Sequence, residues 1–375
     1  MNRAKISPAA KVQLTESLVL EGDVSEALPL LPDASVQCII TSPPYWGLRD
    51  YGIHGQIGLE PTLAAYVFKL TALFSELRRI LKPNGTLWLN IGDGYTSGNR
   101  GWRAPDKKNP NRAMSVRPDN PPGLKDKDLL GVPWRLAFAL QGDGWYLRSD
   151  IIWHKPNAMP ESVKDRPTRA HEYLFMFTKE EQYGYHADAV LEESEDGGKR
   201  NRRTVWSINT SPTDGSHIAS FPEELVEPCV LAGTDPDDFV LDPFFGCGTV
   251  GLVCRRLKRR FIGIELNPEY VDQAIELLEK QSLNRTSKRR LRYHADNHSD
   301  RFYNLLNLSS AGTEEFADFR DRLVSLVGIA SNPEPTTPTP HGNLITSITP
   351  GTARVAASSI VSIALPGMGG RSTAP

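Results

Sequence analysis

Phe239-Val240-Leu241-Asp242-Pro243-Phe244-Phe245-Gly246-Cys247-Gly248-Thr249-Val250-Gly251 is the stretch that decides the fold. Its first three residues are apolar and make a short buried strand. Gly246, Gly248 and Gly251 then form a G-x-G-x-x-G turn that opens a helix reaching Leu257. A strand over residues 260–265 and an amphipathic helix from Pro268 to about Lys280 follow. Glycines let the backbone approach a ligand closely, and an acid at the tip of the next strand, here Glu265, can accept both hydroxyls of a ribose. This geometry suits an adenosine-containing cofactor. Nicotinamide dinucleotides, flavin dinucleotides and S-adenosylmethionine all satisfy it. Asp242 favours the last, because a carboxylate at the strand tip suits an ammonium group and repels a pyrophosphate.

Towards the N-terminus, a second stretch has the same strand-to-loop character. The apolar run Val36–Ile40 leads into Thr41-Ser42-Pro43-Pro44-Tyr45-Trp46. Two successive prolines cannot donate ladder hydrogen bonds, so the strand ends there in a stiff, extended loop. In open α/β sheets this carboxyl edge is where ligands bind. The competing interpretation is a rigid exit from the strand with Tyr45 and Trp46 as core aromatics.

Around these two stretches the chain alternates. Leu18–Leu20 is expected to be a strand and Val24–Leu31 a short helix. Residues 47–61 look like a mobile, Gly-rich loop. Thr62 caps a helix to Leu81 whose apolar residues recur every three or four positions, and Lys82-Pro83-Asn84-Gly85 stops it. Thr86–Ile91 is a strand, Val132–Leu140 a short helix, and Tyr146–Trp153 and Tyr173–Phe177 are further strands. A helix opens at Phe221 and Pro222 and runs to about Leu231. Strand–helix–strand order predicts a mostly parallel, twisted, Rossmann-like α/β sheet with helices on both faces. The expected organisation is an N-terminal extension (1–17), one domain (18–285) with inserted loops at about 95–130 and 184–220, a C-terminal extension (286–330) and a low-complexity, disordered tail (331–375).

Composition narrows the class. The 375 residues are 39% hydrophobic and 23% charged, as in a globular protein with a sizeable core. No apolar run approaches the ~20 residues of a membrane helix, and the N-terminus lacks a signal-peptide core, so a cytoplasmic location is expected. Cys38, Cys229, Cys247 and Cys254 fit neither a zinc site nor a disulfide framework, so no metal is expected. The net charge is −2, so any nucleic-acid surface must be local. The candidates are Arg100, Arg103, Lys107, Lys108 and Arg112 in the first inserted loop, and Lys199, Arg200, Arg202 and Arg203 in the second. Either cluster could equally be a solubilising surface.

Ser42-Pro43-Pro44-Tyr45 together with Asp242–Thr249 resembles the amino-group DNA methyltransferases, which modify cytosine N4 or adenine N6. The likeness runs from about Leu20 to Gln281, and the catalytic loop precedes the cofactor loop, similar to the circularly permuted beta group of that family. The resemblance implies S-adenosyl-L-methionine as cofactor and double-stranded DNA as substrate. A cognate restriction endonuclease is an implied partner, and the chain is expected to be a monomer or homodimer. It implies that Ser42, Pro43, Pro44 and Tyr45 are catalytic. It also implies that Asp23, Phe221, Asp242, Pro243, Phe244, Gly246, Gly248, Thr249, Glu265 and Asn267 bind the cofactor. For Asp23 a plain strand-end turn is the rival role.

An exocyclic amino group is a poor nucleophile because its lone pair is delocalised into the ring. Acceptors on its two hydrogens localise that pair. The Pro43 carbonyl and the Ser42 side chain are expected to be those acceptors, with Tyr45 stacked on a flipped base. No thiol nucleophile is needed: Cys229 is expected mid-helix as a buried small residue. In the family the serine form of the loop is commoner among cytosine-N4 enzymes, so N4 leads and adenine N6 is the alternative. A nicotinamide-dependent oxidoreductase on the same glycine loop, a DNA-binding protein without catalysis, and an RNA substrate are more distant possibilities. Lys155 and His171-Glu172 are read as a buried structural group rather than as catalysts.

Overall fold

In chain order, the strand β1 (Leu18–Glu21) is followed by a four-residue helix α1 (Val24–Ala27) and a 3-10 turn (Leu28–Leu30). The computed structural model describes residue 12 and residues 14–96, 118–210, 221–280 and 289–292. All of these fall in one compact unit that ends at Ser331. The expected insertion residues 97–117, the stretch 211–220, and the tail from 293 onward lie outside the described residues.

The next elements are β2 (Val36–Thr41), α2 (Leu63–Ile80) and β3 (Leu81–Ile91). Thr62 caps α2 as expected, its hydroxyl accepting the Ala65 N–H. The residues expected to stop the helix have another role. Leu81 turns the backbone extended at once, and Lys82 to Gly85 form the first, irregular part of β3, where the register against β2 shifts between Val36 and Cys38. Pro83 keeps Lys82 extended, and the Gln37 side chain donates to Asn84 across the bulge.

Then come α3 (Val132–Gly142), β4 (Tyr146–His154) and β5 (His171–Thr178). Helix α3 starts at Gly131, which has no side chain to cap it. Asp93 at the tip of β3 supplies the cap instead, accepting the Gly131 and Val132 N–H groups. The region 184–210 is more ordered than a polar insertion: after a 3-10 turn (Ala187–Val190) come a small hairpin, β6 (Glu192–Glu193) with β7 (Lys199–Arg200), and β8 (Val205–Ser207). Strand β8 joins the main sheet beside β4, and its buried Trp206 packs on Trp88.

The last part contains α4 (Glu223–Gly233), β9 (Phe239–Asp242), α5 (Thr249–Arg256), β10 (Arg260–Glu265) and α6 (Pro268–Lys280). A backbone strand β11 (Arg289–Arg292) pairs in parallel with β1. Among the described residues, nine strands form one sheet in the order β11-β1-β10-β9-β2-β3-β5-β4-β8, and β6 and β7 pair separately. From β11 to β3 all neighbours are parallel, while β5 is antiparallel to both β3 and β4. Helices α2 and α3 bury Leu70, Phe74 and Leu136 on one face. Helices α4, α5 and α6 bury Val230, Val253 and Val271 on the other. Both faces are covered, which explains why β2 is buried along its whole length.

Phe245 ties the glycine turn to this sheet. Its ring is 3% exposed and stacks on Phe261 with centroids 5.7 Å apart. A Cβ at Gly263 would lie 2.4 Å from it, so only glycine fits in the strand beneath. Gly263→Ala is therefore expected to destabilise the fold by about 1–3 kcal/mol through overpacking, read as a lowered urea midpoint with an unchanged slope.

Candidate active site

Parallel pairing puts the carboxyl ends of β2 and β9 side by side. The two loops that leave them therefore meet, although about two hundred residues separate them. The contact is direct: Thr41 donates its hydroxyl proton to Asp242 Oδ1 at 2.8 Å. The Phe244 N–H donates to the same oxygen at 3.0 Å. Asp242 Oδ2 has no protein donor among the described residues, and Asp242 lines a cavity of about 650 Å³. The side chain is 1% exposed, and burial pushes its carboxyl up to about 7 despite those two hydrogen bonds.

The cavity joins the residues expected from sequence. All of Ser42, Pro43, Pro44 and Tyr45 line it, as do all the expected cofactor residues except Gly248. Gly248 acts one step behind: its positive φ of 88° starts α5, and Gly246, at φ 52°, bends the loop before it. Glu265 accepts the Gly246 N–H on Oε2 and the Asn267 N–H on Oε1, both at 2.8 Å, so it shapes the loop while facing the cavity. Burial raises its carboxyl above the ordinary value. The Asn267 side chain accepts the Glu269 N–H at the start of α6. Asp23 caps α1 by accepting the Ser25 N–H at 2.7 Å, so the strand-end role is real, and it also borders the cavity.

In the other half of the cavity, the Pro44 carbonyl accepts from the Tyr66 hydroxyl at 2.8 Å, which fixes the proline pair. The Pro43 carbonyl has no protein donor among the described residues. Trp46 faces away: it is 7% exposed and donates its indole proton to Glu60, so its role is in the core. The Tyr45 hydroxyl accepts from Ser42 at 3.3 Å and donates to Glu172 Oε2 at 2.8 Å. Its pKa is held well above normal, chiefly by burial and then by the Glu172 carboxylate, so it stays a neutral phenol. Glu172 also forms an ion pair with Lys155 and accepts from Asn90. Neither Cys247, which lines the cavity, nor Cys229 has an activated thiol. Burial raises Cys247 to about 11 and Cys229 well above its normal value, and Cys229 sits mid-helix in α4 as expected.

Several lining residues escaped sequence reasoning. The loop at 47–58, expected to be mobile, is pinned by the Gly47 N–H to the Gly58 carbonyl at 2.8 Å and brings Arg49 and Tyr51 to the cavity. Tyr270 of α6 and Arg169 before β5 also reach it. A glycine-rich composition hid the first pair, and nothing local marks the second. The second basic cluster is not at the cavity. Arg200 and Arg203 both pair with Glu192, and Arg202 lies over the Trp206 ring at 4.4 Å. These arginines serve local structure in this state. Arg100, Arg103, Lys107, Lys108 and Arg112 lie outside the described residues.

The family model described as N6/N4 DNA methylase matches residues 36–276. The chain belongs to this family. It is 63% identical over 280 residues to the Type II methyltransferase M.Cfr9I of Citrobacter freundii, covering 75% of this chain and 93% of that protein. It is 58% identical over 260 residues to the Type II methyltransferase M.SmaI of Serratia marcescens, covering 69% and 89%. Among solved structures, the fold is similar to the PvuII cytosine-N4-specific DNA methyltransferase, with a TM-score of 0.54 at 20% identity, covering 88% of this chain and 98% of that one. A protein described as a DNA modification methylase of Thermus thermophilus, solved with S-adenosyl-L-methionine, gives 0.52 at 23% identity, covering 75% and 100%. The S-adenosylmethionine-type methyltransferase fold expected from sequence is thus the fold found. The oxidoreductase alternative falls with it.

The site fits S-adenosyl-L-methionine as the cofactor of a DNA methylase. Asp242 Oδ2 offers an ammonium group a buried anion, Gly246 leaves open space above the loop, and Glu265 stands at the neighbouring strand tip. Among the described residues no acidic, His or Cys cluster could hold a metal, and no helix is long and apolar enough to cross a membrane.

The raised carboxyl has a thermodynamic signature. Folded Asp242 holds its proton up to about pH 7, whereas an unfolded one loses it near the ordinary value of 3.8. Between these values the folded state binds more protons, so its stability falls as pH rises, and the full penalty is present above about pH 7. Asp242→Asn is expected to flatten that fall. Urea titrations from pH 5 to pH 8 should show the variant gaining on the native chain as pH increases.

Proposed function

We propose that this protein is a Type II, site-specific DNA methyltransferase that transfers a methyl group from S-adenosyl-L-methionine to the exocyclic N4 of cytosine in duplex DNA. The observation that carries it is the pair of acceptors at the tip of β2. The Pro43 carbonyl is free of protein donors among the described residues and adjoins the Ser42 hydroxyl, and both stand in one cavity with the Asp242 loop. When bound, the cofactor supplies an electrophilic methyl group on a sulfonium.

The chain's own residues do the rest. Asp242 holds the ammonium end, Glu265 the ribose hydroxyls, and Asp23, Phe221, Pro243, Phe244, Thr249 and Asn267 the remaining walls. Ser42 and Pro43 take the two amino hydrogens and localise the lone pair towards the methyl group. The proline ring geometry fixes the carbonyl before the base arrives, so little ordering entropy is lost in the transition state. Tyr45 stacks on the flipped base. The serine at position 42 is the reason for choosing cytosine. Its hydroxyl accepts without adding a charge, and the serine form of the loop resembles that of the N4 enzymes.

The segment with Arg100, Arg103, Lys107, Lys108 and Arg112 is assigned to phosphate contacts, and Lys199 with its neighbouring arginines to a peripheral one at most. The relatives' description as Type II methyltransferases supports a companion restriction endonuclease recognising the same site.

Digesting methylated DNA to nucleosides tests the base: labelled N4-methylcytosine is expected, and N6-methyladenine in its place would move the assignment to adenine. Ser42→Ala is expected to lower single-turnover methylation by about 10- to 1000-fold, the range of one lost acceptor or proton-handling group. Cofactor affinity, followed by calorimetry, should stay nearly constant. Equal loss of both would count against its place at the base.

A further inference from the structure

Three groups beside the Ser42 loop have no task in the scheme above: the Tyr45 hydroxyl, Glu172 and Lys155. They form a continuous path. Ser42 Oγ donates to the Tyr45 oxygen at 3.3 Å, and that hydroxyl donates to Glu172 Oε2 at 2.8 Å. Lys155 holds the other carboxylate oxygen and lies over the Trp153 ring at 4.0 Å, so it cannot easily swing away. Asn90 braces the near end, donating to Glu172 Oε2 at 3.2 Å and to the Tyr173 carbonyl at 3.1 Å. The lysine and glutamate side chains are only 15% and 19% exposed. A half-buried ion pair is a weak source of stability, because desolvation offsets most of its attraction. Aiming one at the hydroxyl of the base-facing tyrosine suggests a chemical use.

Amino-group methylation sheds a proton. The nitrogen lone pair forms the new nitrogen–carbon bond, the pair of the broken carbon–sulfur bond stays on sulfur, and one N–H proton must leave. Ser42 can accept it only by giving up its own. A hydroxyl with a raised pKa, such as Tyr45, cannot keep an extra proton or ionise, but it can pass one on.

We infer that Glu172 is the terminal acceptor of the amino proton, reached from Ser42 through the Tyr45 hydroxyl, with Lys155 holding the carboxylate in place; this rests on the amino-methyltransferase function proposed above. The amino proton passes to Ser42 Oγ, the Ser42 proton to the Tyr45 oxygen, and the Tyr45 proton to Glu172 Oε2. Ser42 and Tyr45 end as neutral hydroxyls and Glu172 as a neutral acid. The positive charge that entered with the methyl donor remains as the unpaired Lys155 ammonium. Glu172 returns its proton to water when the product leaves. Tyr45 thus has two separable parts, a ring for the base and a hydroxyl for the proton. Glu172 and Lys155 act through it as positioning residues.

Tyr45→Phe keeps the ring and removes the link, and Glu172→Gln keeps the shape and removes the acceptor. Single-turnover methylation by each is expected to fall by about 100-fold or more. The double variant should be no slower than the worse single one, because the residues act as one unit. Affinity for the duplex without cofactor, read by fluorescence anisotropy, should be unchanged in all three. Multiplying losses, a Tyr45→Phe rate near that of the native chain, or a loss confined to DNA affinity would overturn the relay. If Glu172→Gln melts early, Ser42→Ala combined with Tyr45→Phe provides the same comparison. A native chain that methylates no base in this assay would instead overturn the underlying function.

Discussion

One buried side-chain hydrogen bond ties the two loops of the site together. Thr41 ends the strand before the proline loop, Asp242 ends the strand before the glycine loop, and the hydroxyl of the first donates to the carboxylate of the second. Both side chains are buried, so the bond is shielded from competing water. It sets where the Ser42–Tyr45 loop stands relative to the cofactor loop. A misplacement of about 1 Å between reacting groups can cost about 100-fold in rate, so under the proposed function this contact bears on catalysis. The adjacency it depends on comes from the parallel pairing of β2 with β9.

The same place carries an electrostatic cost. A carboxylate at 1% exposure, with donors on only one of its oxygens, is unfavourable to ionise, which is why its pKa reaches about 7. A cationic ligand reverses that cost. Under the proposed function, stability given up by ionising Asp242 returns as affinity for the ammonium group. The opposite wall uses polar groups differently. Tyr45, Asn90, Glu172 and Lys155 satisfy one another, so this wall is rigid before any base enters. An open backbone acceptor at Pro43 and a closed side-chain network behind Tyr45 make a preorganised site.

Much of this was legible in the sequence. Helix α2 matched its apolar period and its Thr62 cap almost to the residue. Prolines and glycines marked both loops, because their backbone constraints are local. Errors arose where a local signal met a tertiary partner. Pro83 and Gly85 suggest a turn, yet pairing with β2 draws them into a bulged strand. The 47–58 loop has the composition of a mobile segment, yet it is packed over the cavity.

By itself the sequence determined the alternating α/β order, both loop motifs and their order along the chain, and through them the family. Each depends on residues within one turn or strand of each other, where backbone sterics and hydrophobic period act directly. Tertiary structure alone decided which polar groups are shared: Asp242 with Thr41, Glu265 with Gly246, Asp93 with the start of α3, and Glu172 with Tyr45 and Lys155. The physical reason is that a buried polar group must find a partner, and here the partner is chosen by which strand tips lie side by side.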